Sequence, residues 1–149
     1  MEEWKAQYNV MLPRYNFLVL AGPSRMGKTA FARSLAAEGM HTLEVNCASG
    51  AEPDMRAYRL ATHDCVLFDE VHGSQVLAQK KLFQCSFIPV ELGCSATNCH
   101  SYKVFVHRKK FVLCTNNWSV DLAHMLHAEV EWLLVNSFVL EVTSPMWVE

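Results

Sequence analysis

The sequence predicts an α/β fold of three layers, with helices on both faces of a mostly parallel five-stranded sheet and a β-hairpin inserted late in the chain. Three observations carry this. Residues 17–21 form a short apolar run that leads into a loop bounded by Gly22 and Gly27, and good helix formers follow over 30–37. Residues 65–68 are apolar throughout and end in Asp69 and Glu70, as suits a parallel strand covered on both faces. Strand-length apolar runs alternate with helix-forming stretches along the rest of the chain.

Taken in order, residues 1–14 read as a short leading segment, one or two helical turns around Trp4, Tyr8 and Met11, stopped by Pro13. The domain proper is expected over 15–149, with its first strand at 15–20. The helix after the glycine loop is expected to run to about Glu38, with Gly39 as its C-cap. Residues 41–46 alternate like a second strand, and 47–52 form a loop of small residues. Pro53 opens a short predicted helix over 53–60. After the third strand at 65–70, a helix over 74–83 turns Lys80 and Lys81 outward. Two extended arms at 88–92 and 102–106 flank a polar tip and predict the hairpin. A buried strand at 111–115 closes on Asn116-Asn117-Trp118. A helix over 120–134 and a last strand over 136–142, ended by Pro145, complete the chain. The cluster at 132–135 reads as core.

Gly22-Pro23-Ser24-Arg25-Met26-Gly27-Lys28-Thr29 matches G-x-x-x-x-G-K-[ST], the phosphate-cradling P-loop, in its required context of strand, loop and helix. The two glycines are expected to give the backbone conformations closed to other residues. The main chain from Gly22 to Ala30, through its N–H groups other than at Pro23, and the helix start would then cradle phosphates. Lys28 would reach the β- and γ-phosphates, and the Thr29 hydroxyl would bind Mg²⁺. Asp69 is placed to help hold the cation. Glu70 is placed to polarise an attacking water as general base. Asn116, ending the next buried strand, can hold that water or touch the γ-phosphate. Its bland alternative is a strand-terminating turn.

Hydrophobic residues make up 51% and charged residues 19% of the 149, which excludes a disordered chain. No apolar run approaches a membrane span, and the acidic start does not read as a signal peptide. The net charge of −2 excludes general attraction to polyanions, so a nucleic-acid contact would need a local patch. Lys103, His107, Arg108, Lys109 and Lys110, beside Tyr102 and Phe105, form the most basic cluster. They suit either single-strand binding or a solvated turn. Six cysteines without C-x-x-C spacing predict free thiols in a reducing, intracellular compartment, nucleus or cytoplasm. Cys94, Cys99, His100 and His107 fit no common zinc spacing.

The order of P-loop, acidic strand end, hairpin, then apolar strand plus Asn resembles the ATPase domain of superfamily 3 helicases. It looks closest to that of the replication-initiator proteins of small circular single-stranded DNA viruses and their cellular relatives. The matching segments are residues 22–29, 66–70, 90–106 and 112–116, within about 15–142. The resemblance implies an AAA+-like P-loop NTPase sheet. It implies ATP or another nucleoside triphosphate with Mg²⁺ at Lys28, Thr29 and Asp69, and Glu70 and Asn116 about the γ-phosphate. It also implies a ring of subunits acting on single-stranded DNA or RNA, with the hairpin pointing into its channel. The family's N-terminal nicking domain and helical oligomerisation segment have no counterpart in the leading residues. Such helicases take an arginine from a neighbouring subunit, usually after the sensor strand, and no arginine follows Arg108. That opens the alternative of a nucleotide-binding switch or assembly module with little hydrolysis. A small-molecule kinase would need an arginine-bearing lid and an acceptor pocket, and neither pattern is present.

Overall fold

The computed structural model describes residues 1–23, 26–93 and 101–145. The elements run α1 (Glu2–Ala6), β1 (Phe17–Ala21), α2 (Lys28–Arg33), β2 (His41–Asn46), β3 (His63–Asp69), α3 (Gly73–Ala78), α4 (Lys80–Phe83), β4 (Val90–Leu92), β5 (Tyr102–Val104), β6 (Lys110–Thr115), α5 (Trp118–Ala123), α6 (His127–Val135) and β7 (Ser137–Glu141). Five strands form one sheet in the order β2-β3-β6-β1-β7, and every pairing in it is parallel. The expected "mostly parallel" sheet is therefore wholly parallel.

Successive strand residues face opposite sides of a sheet, and both sides here are covered. On one side Phe17, Val19, Val66, Phe68, Phe111 and Leu113 pack with Val76, Leu82, Phe83, Trp118 and Leu133 from α3 to α6. On the other, Leu18, Leu20, Leu67, Val112 and Cys114 pack with Trp4 of α1 and Ala32 of α2. These are the three layers. Central strands buried on both faces show as continuous apolar runs, and β1 is buried at all five positions. β2 is an edge strand paired only with β3, and of its six residues only Val45 is buried.

The leading segment is part of this core. Trp4 is wholly buried and its Nε1 donates to Asn16 O at 2.9 Å. Gln7 exchanges two hydrogen bonds with the Asn16 backbone, and Tyr8 stacks on Tyr15 at 5.2 Å. The hairpin arms pair antiparallel, Val90 opposite Val104 and Leu92 opposite Tyr102. Val90, Leu92 and Val104 are buried against the α3–α6 side of the sheet. The expected tip at 94–100 lies outside the described residues.

Four helix expectations need correction. α2 stops at Arg33 rather than Glu38, and the Ser34 hydroxyl donates to Phe31 O at 2.6 Å in place of further helical turns. Gly39, at φ +80°, therefore serves a turn and not a cap. Residues 53–60 form no helix. Met55 N–H donates to the Tyr102 hydroxyl, Arg56 N–H to Asp54 Oδ1 and Arg59 N–H to His63 Nδ1, so the backbone there finds other partners. The helix expected over 74–83 breaks at Gln79 (φ −128°, ψ 44°). That over 120–134 divides into α5 and α6, with Leu126 extended and its N–H held by Glu129 Oε1. In the same region Leu133 is buried and Trp132 partly so, whereas Leu134 and Val135 are exposed, so the 132–135 cluster is only half core.

Phe68, Phe83 and Phe111 meet at ring separations of 4.8 to 5.9 Å at the centre of the larger cluster. Phe68→Ala should lower the unfolding free energy by about 3–5 kcal/mol, read as an earlier midpoint in urea denaturation.

Candidate functional site at the carboxyl ends of the strands

In a parallel sheet all strands end on one edge, and ligands of such folds bind in the crevice outside those ends. β1 delivers Gly22 there, β3 delivers Asp69 and Glu70, and β6, lying between them, delivers Thr115 and Asn116. The described ends of the expected phosphate loop, Gly22 and Pro23 on one side and Gly27 to Ala30 on the other, line cavities at this edge.

The two loop glycines are needed for different reasons. Gly27 stands at φ +78°, in the left-handed region that favours glycine. Gly22 does not, which corrects the expectation that both supply unusual φ. Gly22 N–H donates to Thr115 O at 3.1 Å and Val142 N–H donates to Ala21 O at 2.7 Å. The backbone after β7 thus passes directly over Gly22, and a Cβ there would overlap the Val142 carbonyl oxygen. Pro23 is exposed, Met26 packs partly against the α2 side of the core, and Ser24 and Arg25 lie outside the described residues.

Lys28 is buried, and its Nζ donates to Gly22 O at 2.6 Å, Asn116 Oδ1 at 2.6 Å and Thr115 O at 3.3 Å. One ammonium therefore bridges the ends of β1 and β6. Burial lowers its pKa below the ordinary lysine value of 10.5, while the nearby Cys114 and Asp69 pull the other way. The Asn116 amide, expected to meet water or the γ-phosphate, is here the lysine's partner.

A cavity of about 450 Å³ opens beside this contact. Residues 27–30 line it together with Asp69, Glu70 and Asn116. Consecutive strand residues point to opposite faces, so Asp69 and Glu70 would ordinarily diverge. Glu70 instead adopts φ +54°, a conformation uncommon outside glycine, and the chain turns so that both acids border the same cavity. Two smaller cavities flank it and share Asn116. One, of about 240 Å³, is bordered by Glu70, His72 and Asn117. The other, of about 270 Å³, is bordered by Gly22, Pro23 and Glu141.

Two cavity residues escaped the sequence reading. Arg33 lines the main cavity, and its position four residues after Thr29, one turn along the same helix face, was the available signal. His72 lines the adjoining cavity with its Nδ1 at 3.3 Å from Asp121 Oδ2. Only its proximity to Glu70 in sequence hinted at that.

The basic segment is largely engaged inside the chain. A His107 ring nitrogen bonds Leu12 O at 2.8 Å, and Arg108 donates to Tyr8 O. Lys109 donates to Leu60 O at 2.9 Å and Lys110 to Asp64 Oδ2 at 2.7 Å. Burial works to raise the Asp64 pKa, but the bonds from Lys110 and the Ala37 N–H outweigh it and leave it below the ordinary value. Lys103 is exposed on β5, opposite Glu91. The segment anchors the start of β6, and the structure does not gather it with the cavity residues.

Cys47, Cys65, Cys85 and Cys114 are free and buried. Burial, with a smaller push from Asp69, raises the Cys47 thiol to about 11 and the Cys114 thiol to about 12, so both stay protonated. Cys94, Cys99 and His100 lie outside the described residues. Among the described residues no group of three or more His, Cys, Asp or Glu is placed to hold a metal. Thr29 and Asp69, which line the same cavity, are the residues that could hold a cation there. Among the described residues no helix is long and apolar enough to cross a membrane.

Comparison with known proteins leaves the argument to this geometry: no family model matches the chain, and no curated protein does.

Gly22→Ala should destabilise the chain by about 1–3 kcal/mol, because the obstructing atom is main-chain and cannot swing aside. Chemical denaturation would show it, and a change within about 0.5 kcal/mol would contradict the close approach.

Proposed function

We propose that this chain is a Mg²⁺-dependent nucleoside triphosphatase of the superfamily 3 helicase class, with an AAA+-like P-loop fold, using ATP. What supports the reading is one juxtaposition: the Gly27-Lys28-Thr29 end of the G-x-x-x-x-G-K-T motif, the Asp69-Glu70 pair and Asn116 border a single cavity at adjacent strand ends. None of the three segments is near another in sequence.

The residues take these roles. Main-chain N–H groups of the loop and the Lys28 ammonium hold the phosphates. Lys28 must then exchange Gly22 O and Asn116 Oδ1 for phosphate oxygens, which frees the Asn116 amide to orient water. Thr29 and Asp69 would hold Mg²⁺, which would supply positive charge against the charge developing in the transfer. Glu70 accepts a proton from the water as its oxygen bonds the γ-phosphorus. The bond from that phosphorus to the bridging oxygen breaks, and the nucleoside diphosphate leaves with it. In an assembled ring the activity would act on single-stranded DNA or RNA. The bonds that occupy residues 107–110 would compete with such a contact.

A second reading, a nucleotide-binding switch that hydrolyses little, is favoured by the lack of any arginine after Arg108. Single-turnover hydrolysis with and without single-stranded DNA or RNA separates the two. No turnover and no stimulation would remove the helicase reading.

Lys28→Ala should abolish binding of a non-hydrolysable ATP analogue with Mg²⁺ in calorimetry, and unchanged binding would end the P-loop assignment. Affinity should also fall as pH rises through the lowered Lys28 pKa, from a pH below 10.5, because only the ammonium attracts phosphate. Lys28→Arg, charged throughout, should lose that dependence. In the free protein the sign reverses. A depressed lysine pKa disfavours the protonated folded state, so Lys28's contribution to stability rises with pH across the same interval.

A further inference from the structure

We infer that Arg33 is a catalytic residue of this site, supplying from within the same chain the guanidinium that stabilises charge on the transferred phosphoryl group. The inference rests on the triphosphatase reading above and deepens it.

Arg33 borders the same cavity as Lys28, Thr29, Asp69 and Glu70. It stands one helical turn, about 6 Å, beyond Thr29 on α2. Residues four apart share a helix face, and helical side chains lean toward the N-terminus. From that position the long Arg33 side chain has the reach to return to the level of the Thr29 hydroxyl.

Its present partner is Glu44 on β2. Nε and Nη2 both donate to the single oxygen Oε1, at 3.0 and 2.7 Å, and Nη1 has no partner among the described residues. Both side chains are about half exposed, at 56% and 46%, and so exposed an ion pair is a weak hold. Glu44 pairs with Leu67 and Asn46 with Asp69 in the β2–β3 register. Asp69 thus lies one strand over and two residues along from Glu44, on the same face, a separation on the order of 8 Å. The charge of Asp69 already reaches Arg33, reinforcing the effect of Glu44. A rotation of the side chain carries the guanidinium from Glu44 toward the Asp69 end of the cavity. A triphosphate, with more negative charge than one carboxylate, is the stronger partner. Glu44 parks the arginine when the site is empty and releases it to the phosphates. No bond is made or broken by Arg33. It neutralises oxygen charge while water attacks and the diphosphate leaves.

Because the arginine comes in cis, a single chain is sufficient for hydrolysis. Single-turnover ATP hydrolysis by the full chain with Mg²⁺ should proceed at a rate per chain that does not rise with protein concentration. Arg33→Gln should slow that step by at least about 100-fold, within the range such groups supply. Calorimetric affinity for the ATP analogue should change less than about threefold, and Arg33→Lys should recover part of the rate. Glu44→Gln, which breaks the same ion pair, should leave the rate equal or higher, and this separates catalysis from a structural bridge. The inference is overturned if Arg33→Gln hydrolyses within twofold of the parent. It is also overturned if Glu44→Gln is as slow as Arg33→Gln, or if the parent's rate per chain rises with protein concentration. Persistence of analogue binding in Lys28→Ala is a different failure, since it removes the triphosphatase reading itself.

Discussion

The Lys28 ammonium, bonded to Gly22 O, Thr115 O and Asn116 Oδ1, is the contact on which the top of this molecule depends. The ends of β1 and β6 lie side by side because the two strands are parallel and paired, Ala21 opposite Thr115. Thr115 O already accepts from Gly22 N–H, but Gly22 O and Asn116 Oδ1 depend on the lysine, and buried acceptors need partners. A charged donor satisfies three at once and draws the loop down onto the sheet. The cost is a buried charge, and it shows as the lowered pKa of the lysine. A group held this way is poised to change partners, since any stronger set of acceptors would draw it off.

Main-chain geometry sets most of the remaining architecture of the cavity. Gly27 turns the loop through a left-handed conformation, Gly22 admits the strand-exit backbone at Val142, and Glu70 bends the chain so that two neighbouring acids border one space. Each is a backbone position with a different reason. Strained conformations outside glycine persist where surrounding structure over-determines them, and Glu70 follows immediately on β3, whose last pairings are to Asn46 and Cys114. The aromatic packing of Phe68, Phe83 and Phe111 one layer below holds that strand in place.

The strands were legible because their environment is simple. β3 and β6 are flanked by apolar layers on both sides, so their residues form unbroken apolar runs with polar termini. Helix lengths were not legible to the same degree. The stretches over 74–83 and 120–134 contain good helix formers, yet Gln79 and Leu126 leave the helical region so that each half can meet the sheet from its own direction. The stretch at 53–60 follows the same logic, its backbone taken up by Tyr102 and His63, remote in sequence or across a turn. Local preference is a weak term beside such contacts. The basic run at 107–110 was open to two readings for a related reason: charge in sequence says nothing of whether a carbonyl from Tyr8 or Leu60 already meets it.

The sequence by itself determined the layered class, the glycine-bounded loop after β1 and the two polar strand ends at Asp69-Glu70 and Thr115-Asn116. Those features follow from residue type and short-range spacing, which folding does not alter. Only the tertiary structure decided that β6 lies between β1 and β3, that Lys28 closes on Asn116, and that Arg33 and Glu44 flank the acids. Such neighbours come from separate parts of the chain and are joined by strand order and register, which no local pattern encodes.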